Sequence, residues 1–314
     1  MNIYAPVLII TLNRYEHFKR CVESLSACTD ADKTDLYIAF DYPANENHWE
    51  GYWRIEDYLT KIQGFKSVII FKRSENFGPV KNHLEAQSKI FETYDRIILS
   101  EDDNEFSPNF LDFVNKGLNK YKDNSSIFSV SGYNYPLKIP QNYNSNIYIW
   151  CGFSAWGVGL WRDKWQKIDW NVYSALQEVR IFLKNYKQVY KLNKIANHYV
   201  PALILMLKNN VFHGDGYICL YQFQNNMNSI FPTISRVRNM GHDGSGVNCK
   251  IVNYDIYKEQ KIYMDSKSYS LHSEIMQNKS INNILRLFFK NSIKSQAKSF
   301  IKLLLINLGL SRFF

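Results

Sequence analysis

Residues 96–110 read RIILSEDDNEFSPNF and join a short apolar run to a block of acids. The apolar run Ile97–Leu99 favours extended backbone and predicts a buried β-strand. Three consecutive carboxylates, Glu101–Asp103, follow it directly, and Ser107-Pro108 then predicts the N-cap and first position of a helix. In an open α/β sheet, ligands bind at the carboxyl ends of the strands. The stretch therefore predicts an acidic site at that edge of a sheet.

Clustered carboxylates repel one another unless a cation or an ordered set of hydrogen bonds offsets their charge. A hard cation such as Mg²⁺ or Mn²⁺ takes one or two carboxylates and completes its shell with water and substrate phosphates. Two interpretations follow, a site for a metal-bound diphosphate and an acidic surface loop. Because the acids lie between an apolar strand and a capped helix, we favour the metal site.

The residues around this stretch alternate between strand and helix patterns. Strands are predicted at 4–12, 36–40, 67–71 and 96–100, with helices after Arg14, at 49–62 and at 81–93. This βαβαβαβ order predicts an α/β fold of Rossmann-like type, with a mostly parallel sheet flanked by helices. Each strand ends in polar residues, and those ends should share one edge of the sheet. They are Thr11 and Arg14, Asp41, Arg73 and Asn76, and the acidic block.

After residue 121 the pattern changes. Strands are predicted at 126–131, 147–150 and 228–237, and helices at 172–200 and 201–223, the latter interrupted at 213–216. A Gly- and Trp-rich segment, CGFSAWGVGLWRDKW, occupies 151–165, and a Gly-rich loop occupies 239–248. The five cysteines form no CxxC pair, which argues against a disulfide framework and favours a reducing cytosol. Neither a signal peptide nor a membrane-spanning segment is predicted.

The charge of the chain is concentrated at its C-terminus. Net charge is +9, and residues 275–314 contribute seven Lys or Arg and no acid, leaving +2 for the remainder. From Arg286 to Lys302 a basic residue recurs every fourth position, as on one stripe of a helix. This predicts either a basic amphipathic helix resting on anionic lipid or a packed terminal helix with a solvated basic face. Nucleic-acid binding is disfavoured, since the basic residues are not interleaved with stacking aromatics.

Taken in order, these segments resemble the GT-A-fold glycosyltransferases, most closely the N-acetylglucosaminyltransferase I type and bacterial family-2-like enzymes. The Glu-Asp-Asp block before Ser-Pro-Asn-Phe resembles the metal motif of that fold. The segment from Gly152 to Trp161 resembles its acceptor side, and Gly214-Asp215-Gly216 lies where the family has a Trp-Asp catalytic segment. Pro232–Arg236 with Gly241-His242 resembles the segment and Gly-rich loop that follow.

The resemblance implies a metal-dependent enzyme that moves a sugar from a nucleotide-diphosphate donor, with uridine diphosphate the expected carrier, to a hydroxyl of a glycan or lipid-linked acceptor. It implies a GT-A domain over 1–250, with a nucleotide-sugar half at 1–121 and an acceptor half at 122–250, and a helical extension at 251–314. A place on the inner face of a bacterial plasma membrane, in surface polysaccharide synthesis, is the expected setting.

The roles expected of individual residues follow from that chemistry. A cation must neutralise the leaving diphosphate, and a carboxylate must accept the proton of the acceptor hydroxyl. Asp215 is the first choice for the base and an inverting outcome is expected; Asp163 is the alternative, although it better fits a surface partner of its basic neighbours. The Mn²⁺ or Mg²⁺ ligands are expected to be Asp103 and His242. Donor contacts are expected from Thr11, Arg14, Asp41, Arg73, Lys81, Glu101 and Asp102, with His83 as a further cation, and acceptor contacts from Trp156 and Trp161.

Two rival classes remain open at this point. A nucleotidyltransferase also uses a parallel sheet and a metal, but it usually carries a Gly-rich basic loop after its first strand, where this chain has Thr11–Arg14 without glycine. A non-catalytic sugar-nucleotide-binding or membrane-adaptor protein would act through its C-terminal segment and would not need Asp103.

Overall fold

The computed structural model describes residues 4–246, 254–265, 271 and 276–310. Ten strands are present in this part of the chain: β1 Val7–Thr11, β2 Asp35–Phe40, β3 Ser67–Lys72, β4 Arg96–Glu101, β5 Asn104–Phe106, β6 Ile127–Ser131, β7 Ile147–Trp150, β8 Val158–Trp161, β9 Asn228–Pro232 and β10 Val237–Asn239. The helices are α1 Tyr15–Ser26, α2 Trp49–Leu59, α3 Gly78–Phe91, α4 Phe110–Lys120, α5 Arg162–Trp165, α6 Val172–Leu183, α7 Tyr186–Ile195, α8 Tyr199–Asn209, α9 Gly214–Gln224, α10 Lys279–Phe288 and α11 Ile293–Asn307.

Eight strands form one sheet in the order β3-β2-β1-β4-β8-β6-β9-β7. The four strands from β3 to β4 are parallel, β8 and β7 run antiparallel to their neighbours, and β6 pairs with β9 in parallel. Six of the eight strands therefore point the same way, which confirms the predicted α/β class with a mostly parallel sheet. Strands from both predicted halves of the chain share this sheet.

Alternating side chains of the strands bury both faces of the sheet. In β4, Ile97 and Leu99 pack with α3 and the helices from α6 onward, whereas Ile98 packs on the opposite face with α1, α2 and α4. This period of two is the one expected of a strand covered on both sides. Since both faces are covered by helices, the strand ends are the open positions at which a ligand can reach the sheet.

Several element boundaries differ from the sequence prediction. The strand predicted at 228–237 is two strands, β9 and β10, which lie in different sheets. β8 lies inside the Gly- and Trp-rich segment and forms the antiparallel strand between β4 and β6, a position its glycines did not suggest. The predicted helix 172–200 is broken at Asn185, whose side chain accepts a hydrogen bond from the Gln188 backbone and caps α7. The helix predicted to start at Ser107-Pro108 begins only at Phe110, after a turn closed by the Phe110 N–H and the Ser107 carbonyl at 3.0 Å.

The C-terminal helices α10 and α11 pack on the body of the protein. Their apolar residues Ile281, Leu285, Leu303 and Ile306 are buried in the core cluster that includes α6 and α8. The buried side of α10 and α11 therefore agrees with the predicted alternative of a terminal helix that packs on the fold. In the described residues, no helix has the length and apolar character needed to cross a bilayer.

Candidate active site

A cavity of about 390 Å³ opens at the carboxyl ends of β1, β2 and β4. It lies between the strand ends, the start of α3 and the loop after β10, where the fold leaves the sheet edge uncovered. We call it the acidic cavity. Six of the predicted site residues line it: Thr11, Arg14, Asp41, Glu101, Asp102 and Asp103.

The Arg14 guanidinium bridges two carboxylates of the acidic block. Its Nη1 donates to Asp103 Oδ2 at 2.8 Å, and its Nη2 donates to Asp102 Oδ1. The remaining oxygens also have donors, because Thr11 Oγ1 lies 2.9 Å from Asp102 Oδ2 and Asn239 Nδ2 lies 2.7 Å from Asp103 Oδ1. Arg14 is thus an internal counterion for the two buried carboxylates.

The pKa values of this group reflect competition between burial and charge. Burial lowers the pKa of Arg14, but Asp102 and Asp103 more than offset it, so the pKa lies above its ordinary value. Burial raises the pKa of Asp102 even though Arg14 opposes the shift. Burial therefore makes the negative charge of the cluster energetically unfavourable, and the positive charge of Arg14 offsets part of that penalty.

Glu101 is the most strongly perturbed acid at the site. Burial raises its pKa to about 8, the charges of Asp103 and Asp215 add to the rise, and Arg14 opposes it. Its Oε2 accepts a hydrogen bond from Trp156 Nε1 at 3.1 Å. Trp156, predicted on the acceptor side, is therefore in direct contact with the acidic block.

Asp215 lies in the first turn of α9 and acts electrostatically on Glu101. The side chain of Asp215 keeps an exposed face, but protein encloses its carboxyl from the other sides. This burial raises the pKa of Asp215 to about 6, although a hydrogen bond from the backbone N–H of Ala155 favours the charged form. The loop between β7 and β8 carries both Ala155 and Trp156 and so joins Asp215 to Glu101. A carboxylate that titrates near neutrality and remains open to water can accept a proton.

Asp41 organises the wall of the acidic cavity at the end of β2. Its Oδ1 accepts the backbone N–H groups of Tyr42 and Phe77, both at 2.9 Å. The second of these bonds fixes the turn before α3, where Gly78 has a φ of 71° that favours glycine. Asp41 Oδ2 has only one long contact, at 3.4 Å from Asn76 Nδ2, and so retains accepting capacity toward the cavity.

Comparisons with known proteins find similar folds only among solved structures. No family model matches the chain, and no curated protein matches it. The mannosyltransferase PcManGT from Pyrobaculum calidifontis, solved with GDP-Man and Mn²⁺, is similar over 52% of this chain and 46% of its own, with 11% identity and a TM-score of 0.36. TarS of S. aureus is similar over 49% of this chain and 27% of its own, with 12% identity and a TM-score of 0.33.

The first of these is a mannosyltransferase, and this chain spans less than half the length of each of the two proteins. The narrower resemblance to the N-acetylglucosaminyltransferase I type stays a prediction.

Five residues that were expected at the site do not line the acidic cavity. Arg73 does not line the cavity, and its Nε donates to Oδ1 of the lining residue Asn82 at 2.8 Å. Lys81 lies over the Phe77 ring, outside the cavity. Trp161 is buried in β8, where its indole N–H donates to the Leu118 carbonyl at 3.1 Å. His242 stacks on Tyr257 and has Nδ1 3.4 Å from Asp255 Oδ2. His83 is enclosed by protein, which lowers its pKa to about 4, so it carries no positive charge near neutrality.

Two residues of the Gly-rich loop, to which the sequence analysis gave no individual role, support Asp103 directly. Asn239 reaches it because β10 pairs with β5, which places Asn239 opposite Asn104. Gly241 packs against the same carboxylate so closely that a Cβ would lie 2.1 Å from Asp103 Oδ2. The Gly-rich loop was visible in the sequence, but its contact with Asp103 depends on a strand pair separated by more than 130 residues.

The donor set of the acidic block fits a hard divalent cation on the condition that Arg14 moves away from Asp103. Carboxylate oxygens are the ligands that Mg²⁺ and Mn²⁺ prefer, and a cationic group already sits between Asp102 and Asp103. Among the described residues, no three His, Cys, Asp or Glu side chains are arranged to hold a metal, and His242 is not grouped with the acids. A metal on Asp103 Oδ2 would take the position that Arg14 occupies.

A larger groove of about 900 Å³ lies between α6, α7 and α9. Its acid Glu178 accepts a hydrogen bond from the Tyr217 hydroxyl, and its lining carries no bridged pair of carboxylates. The acidic cavity is therefore the candidate active site, despite its smaller volume.

Proposed function

We propose that this chain transfers a sugar from a nucleotide-diphosphate donor to the hydroxyl of a glycan or lipid-linked acceptor. The observation that supports this proposal best is that one loop, between β7 and β8, contacts both the acidic block and Asp215. Bridged carboxylates lie at the strand ends beside Arg14, and Asp215, with a pKa of about 6, acts on Glu101 across the loop that carries Trp156. Sugar transfer needs both, a charged donor site and a nearby base.

The donor is assigned to the acidic cavity. Asp41 would accept hydrogen bonds from the nucleoside through its Oδ2, and Thr11 would contact the nucleoside beside it. Glu101 and Asp102 would contact the ribose or the donor sugar. Arg73 and Lys81 lie outside the cavity wall, so their predicted part in diphosphate binding requires a displacement of the start of α3.

Asp103 would hold Mn²⁺ or Mg²⁺ together with water and the donor diphosphate, and Arg14 would then be free to pair with a phosphate oxygen. The bound cation supplies neutralisation of the negative charge that develops on the leaving diphosphate. His242 as a second ligand remains a prediction that requires the loop after β10 to turn toward Asp103.

Asp215 would act as the general base. As the acceptor oxygen bonds to the anomeric carbon, the bond from that carbon to the diphosphate oxygen breaks, and the hydroxyl proton passes to the Asp215 carboxylate. Attack opposite to the leaving group inverts the anomeric centre. Because Asp215 must be ionised to accept the proton, turnover should rise as pH increases through about 6.

A donor screen followed by paired substitutions tests this function. Nucleotide-sugars are screened for hydrolysis and thermal protection with Mn²⁺, and the active donor is then used with Asp215→Asn, Asp103→Asn and Asp163→Asn. We expect Asp215→Asn to bind donor but lose about 10²-fold or more in turnover, and Asp103→Asn to lose donor binding. Asp163→Asn tests the alternative base in the same assay, and because Asp163 is exposed on α5 its turnover should stay near that of wild type. Near-normal turnover of Asp215→Asn refutes the base, and donor binding by all variants without any turnover favours a non-catalytic binding protein.

We also propose that α11 rests on an anionic membrane surface, which would place the protein on the inner face of the plasma membrane. Lys294 and Lys298 are exposed on α11, Ile293 and Phe300 of the same helix are 84% and 57% exposed, and Leu308 directly after it is 70% exposed. Exposed apolar side chains beside basic ones are typical of helices that bind anionic lipid.

Vesicle flotation tests the membrane surface. The double substitution Lys294→Gln and Lys298→Gln should release the protein from phosphatidylglycerol vesicles, and the pair Lys187→Gln and Lys191→Gln on α7 should not. Equal binding of both doubles, or equal binding of wild type to neutral phosphatidylcholine vesicles, would remove the proposed role of α11.

A further inference from the structure

A second, apolar cleft of about 470 Å³ lies beside the acidic cavity. It is formed by the start of α3, by the residues before and at the start of α6, and by the chain just before α9. The two spaces share a wall, because Gly78 and Pro79 line both. We call it the side cleft, and its apolar lining consists of Phe77, Val80, Leu84, Trp170, Val172 and Phe212.

The side cleft has walls of packed aromatic rings and an exposed rim of aliphatic side chains. The Trp170 ring stacks on Trp165 at 4.3 Å between centroids and meets the Phe212 ring edge-on at 5.7 Å. Val80 and Val172 are 43% and 42% exposed at the opening. A continuous apolar surface open to water is typical of a binding site, since covering it releases the free energy of its hydration.

One cation stands at the edge of the side cleft. Lys81 Nζ lies 3.7 Å from the centroid of the Phe77 ring, and its nearest carboxylate, Glu75, is 3.9 Å away with both side chains exposed. An exposed pair at that distance is weak. The other acid of the cleft, Glu85, lies 3.7 Å from Arg73. The charge of Lys81 is therefore available to an anionic group of a ligand.

The side cleft adjoins the proposed donor site, and one of its wall residues lies close in sequence to the proposed base. Its shared wall faces the donor through Gly78 and Pro79, and Phe212 precedes the proposed base Asp215 by three residues. The shared wall thus brings the side cleft next to the proposed donor site. Among the described residues, the lining offers Lys81 and Glu85 as charged groups and no amide or hydroxyl side chain, whereas a sugar ring would need several such partners.

We propose that the side cleft binds the hydrocarbon chain of a lipid-linked acceptor, with the acceptor phosphate paired to Lys81. This inference rests on the proposed sugar transfer and narrows its acceptor to an amphiphile. The apolar walls hold the first isoprene or alkyl units, the lysine holds the anionic linkage, and the sugar end extends toward Asp215.

The position of α6 connects this inference to the membrane surface proposed for α11. α6 starts at Val172 in the side cleft and ends at Leu183, whose carbonyl accepts a hydrogen bond from Asn307 of α11 at 3.4 Å. Eleven residue steps along a helix span about 17 Å, close to half of the roughly 30 Å hydrocarbon thickness of a bilayer. A lipid held by the membrane near α11 can therefore reach the cleft.

Calorimetric titration with farnesyl phosphate, in the absence of any donor, tests the side cleft. Wild type should bind it, and Val172→Asp should weaken binding about tenfold or more, since a charge would have to be desolvated against the chain. Lys81→Gln should weaken it less. Val211→Asp is the matched control, because Val211 is 48% exposed and adjacent to Phe212 but does not line the cleft. Circular dichroism verifies the fold of each variant.

Three outcomes would overturn the inference. One is equal affinity of Val172→Asp and Val211→Asp for farnesyl phosphate. Another is inorganic phosphate binding as tightly as farnesyl phosphate, which would indicate an anion site alone. The third is maltotriose binding that depends on Val172 when farnesyl phosphate does not bind, which would indicate a glycan acceptor. Because no donor is present, donor hydrolysis by wild type still tests sugar transfer separately.

Discussion

Replacing Arg14 with methionine should destabilise the protein far more than an ordinary surface substitution. The change removes the donor to Asp103 Oδ2 at 2.8 Å and the donor to Asp102, and leaves two buried carboxylates side by side. Removing one partner of a buried ion pair costs about 3–5 kcal/mol. The Arg14 side chain is 18% exposed, so the lower end, about 3 kcal/mol, is expected. At an unfolding entropy of about 2.1 cal/mol/K per residue, that is a fall of about 5 °C in Tm for a chain of 314 residues.

The assay is thermal unfolding at pH 7.5 with and without Mn²⁺, and Arg54→Met is the matched control. Arg54 pairs with Glu16 on the surface, with side chains 49% and 66% exposed, and its loss should cost no more than about 1 kcal/mol. Mn²⁺ should raise the Tm of Arg14→Met more than that of wild type, because the vacated carboxylates can bind the cation. Equal Tm losses for the two variants would refute the counterion role of Arg14.

Three further predictions concern pH and packing at the same site. The pKa of Glu101 is raised from 4.5 to about 8, so its contribution to stability is complete below pH 4.5 and is lost as pH rises through 8; Glu101→Gln should flatten the fall in Tm between pH 5 and 8. Gly241→Ala should abolish protection by nucleotide diphosphate, whereas Gly216→Ala, whose Cβ would lie 3.6 Å from Ala202, should keep it. Trp156→Phe should raise the pKa of Glu101, measured by NMR titration, because the indole N–H donates to the carboxyl oxygen and favours the charged form; an unchanged or lower pKa would contradict this.

Local patterns in the sequence predicted much of the sheet and its acidic edge. The apolar runs of β1, β2 and β4 identify buried strands and that of β3 a half-buried edge strand, and polar residues after the buried strands mark the edge where the acidic cavity lies. β8 escaped prediction because glycine-rich residues have low strand propensity, and its pairing with β4 decides its conformation. The break between α6 and α7 at Asn185 is a capping effect that a long apolar periodicity conceals.

The contacts within the site were less accessible to sequence reasoning. The acids were identified, but Arg14 as their counterion depends on β1 lying directly beside β4. Asn239 and Gly241 reach Asp103 through the β5–β10 pair, which no local pattern indicates. Arg73 and Lys81 were expected at the donor, yet Arg73 is bonded to Asn82 and Lys81 lies over the Phe77 ring, outside the cavity. Strand order and turn geometry, which are tertiary, decide these positions.

A crystal structure with uridine diphosphate and Mn²⁺ would test the central claim most directly. We predict nucleotide density in the acidic cavity, an anomalous manganese peak on Asp103, and Arg14 turned from Asp103 to a phosphate oxygen. Nucleotide and manganese bound elsewhere, with Arg14 still bridging Asp102 and Asp103, would contradict the proposed donor site.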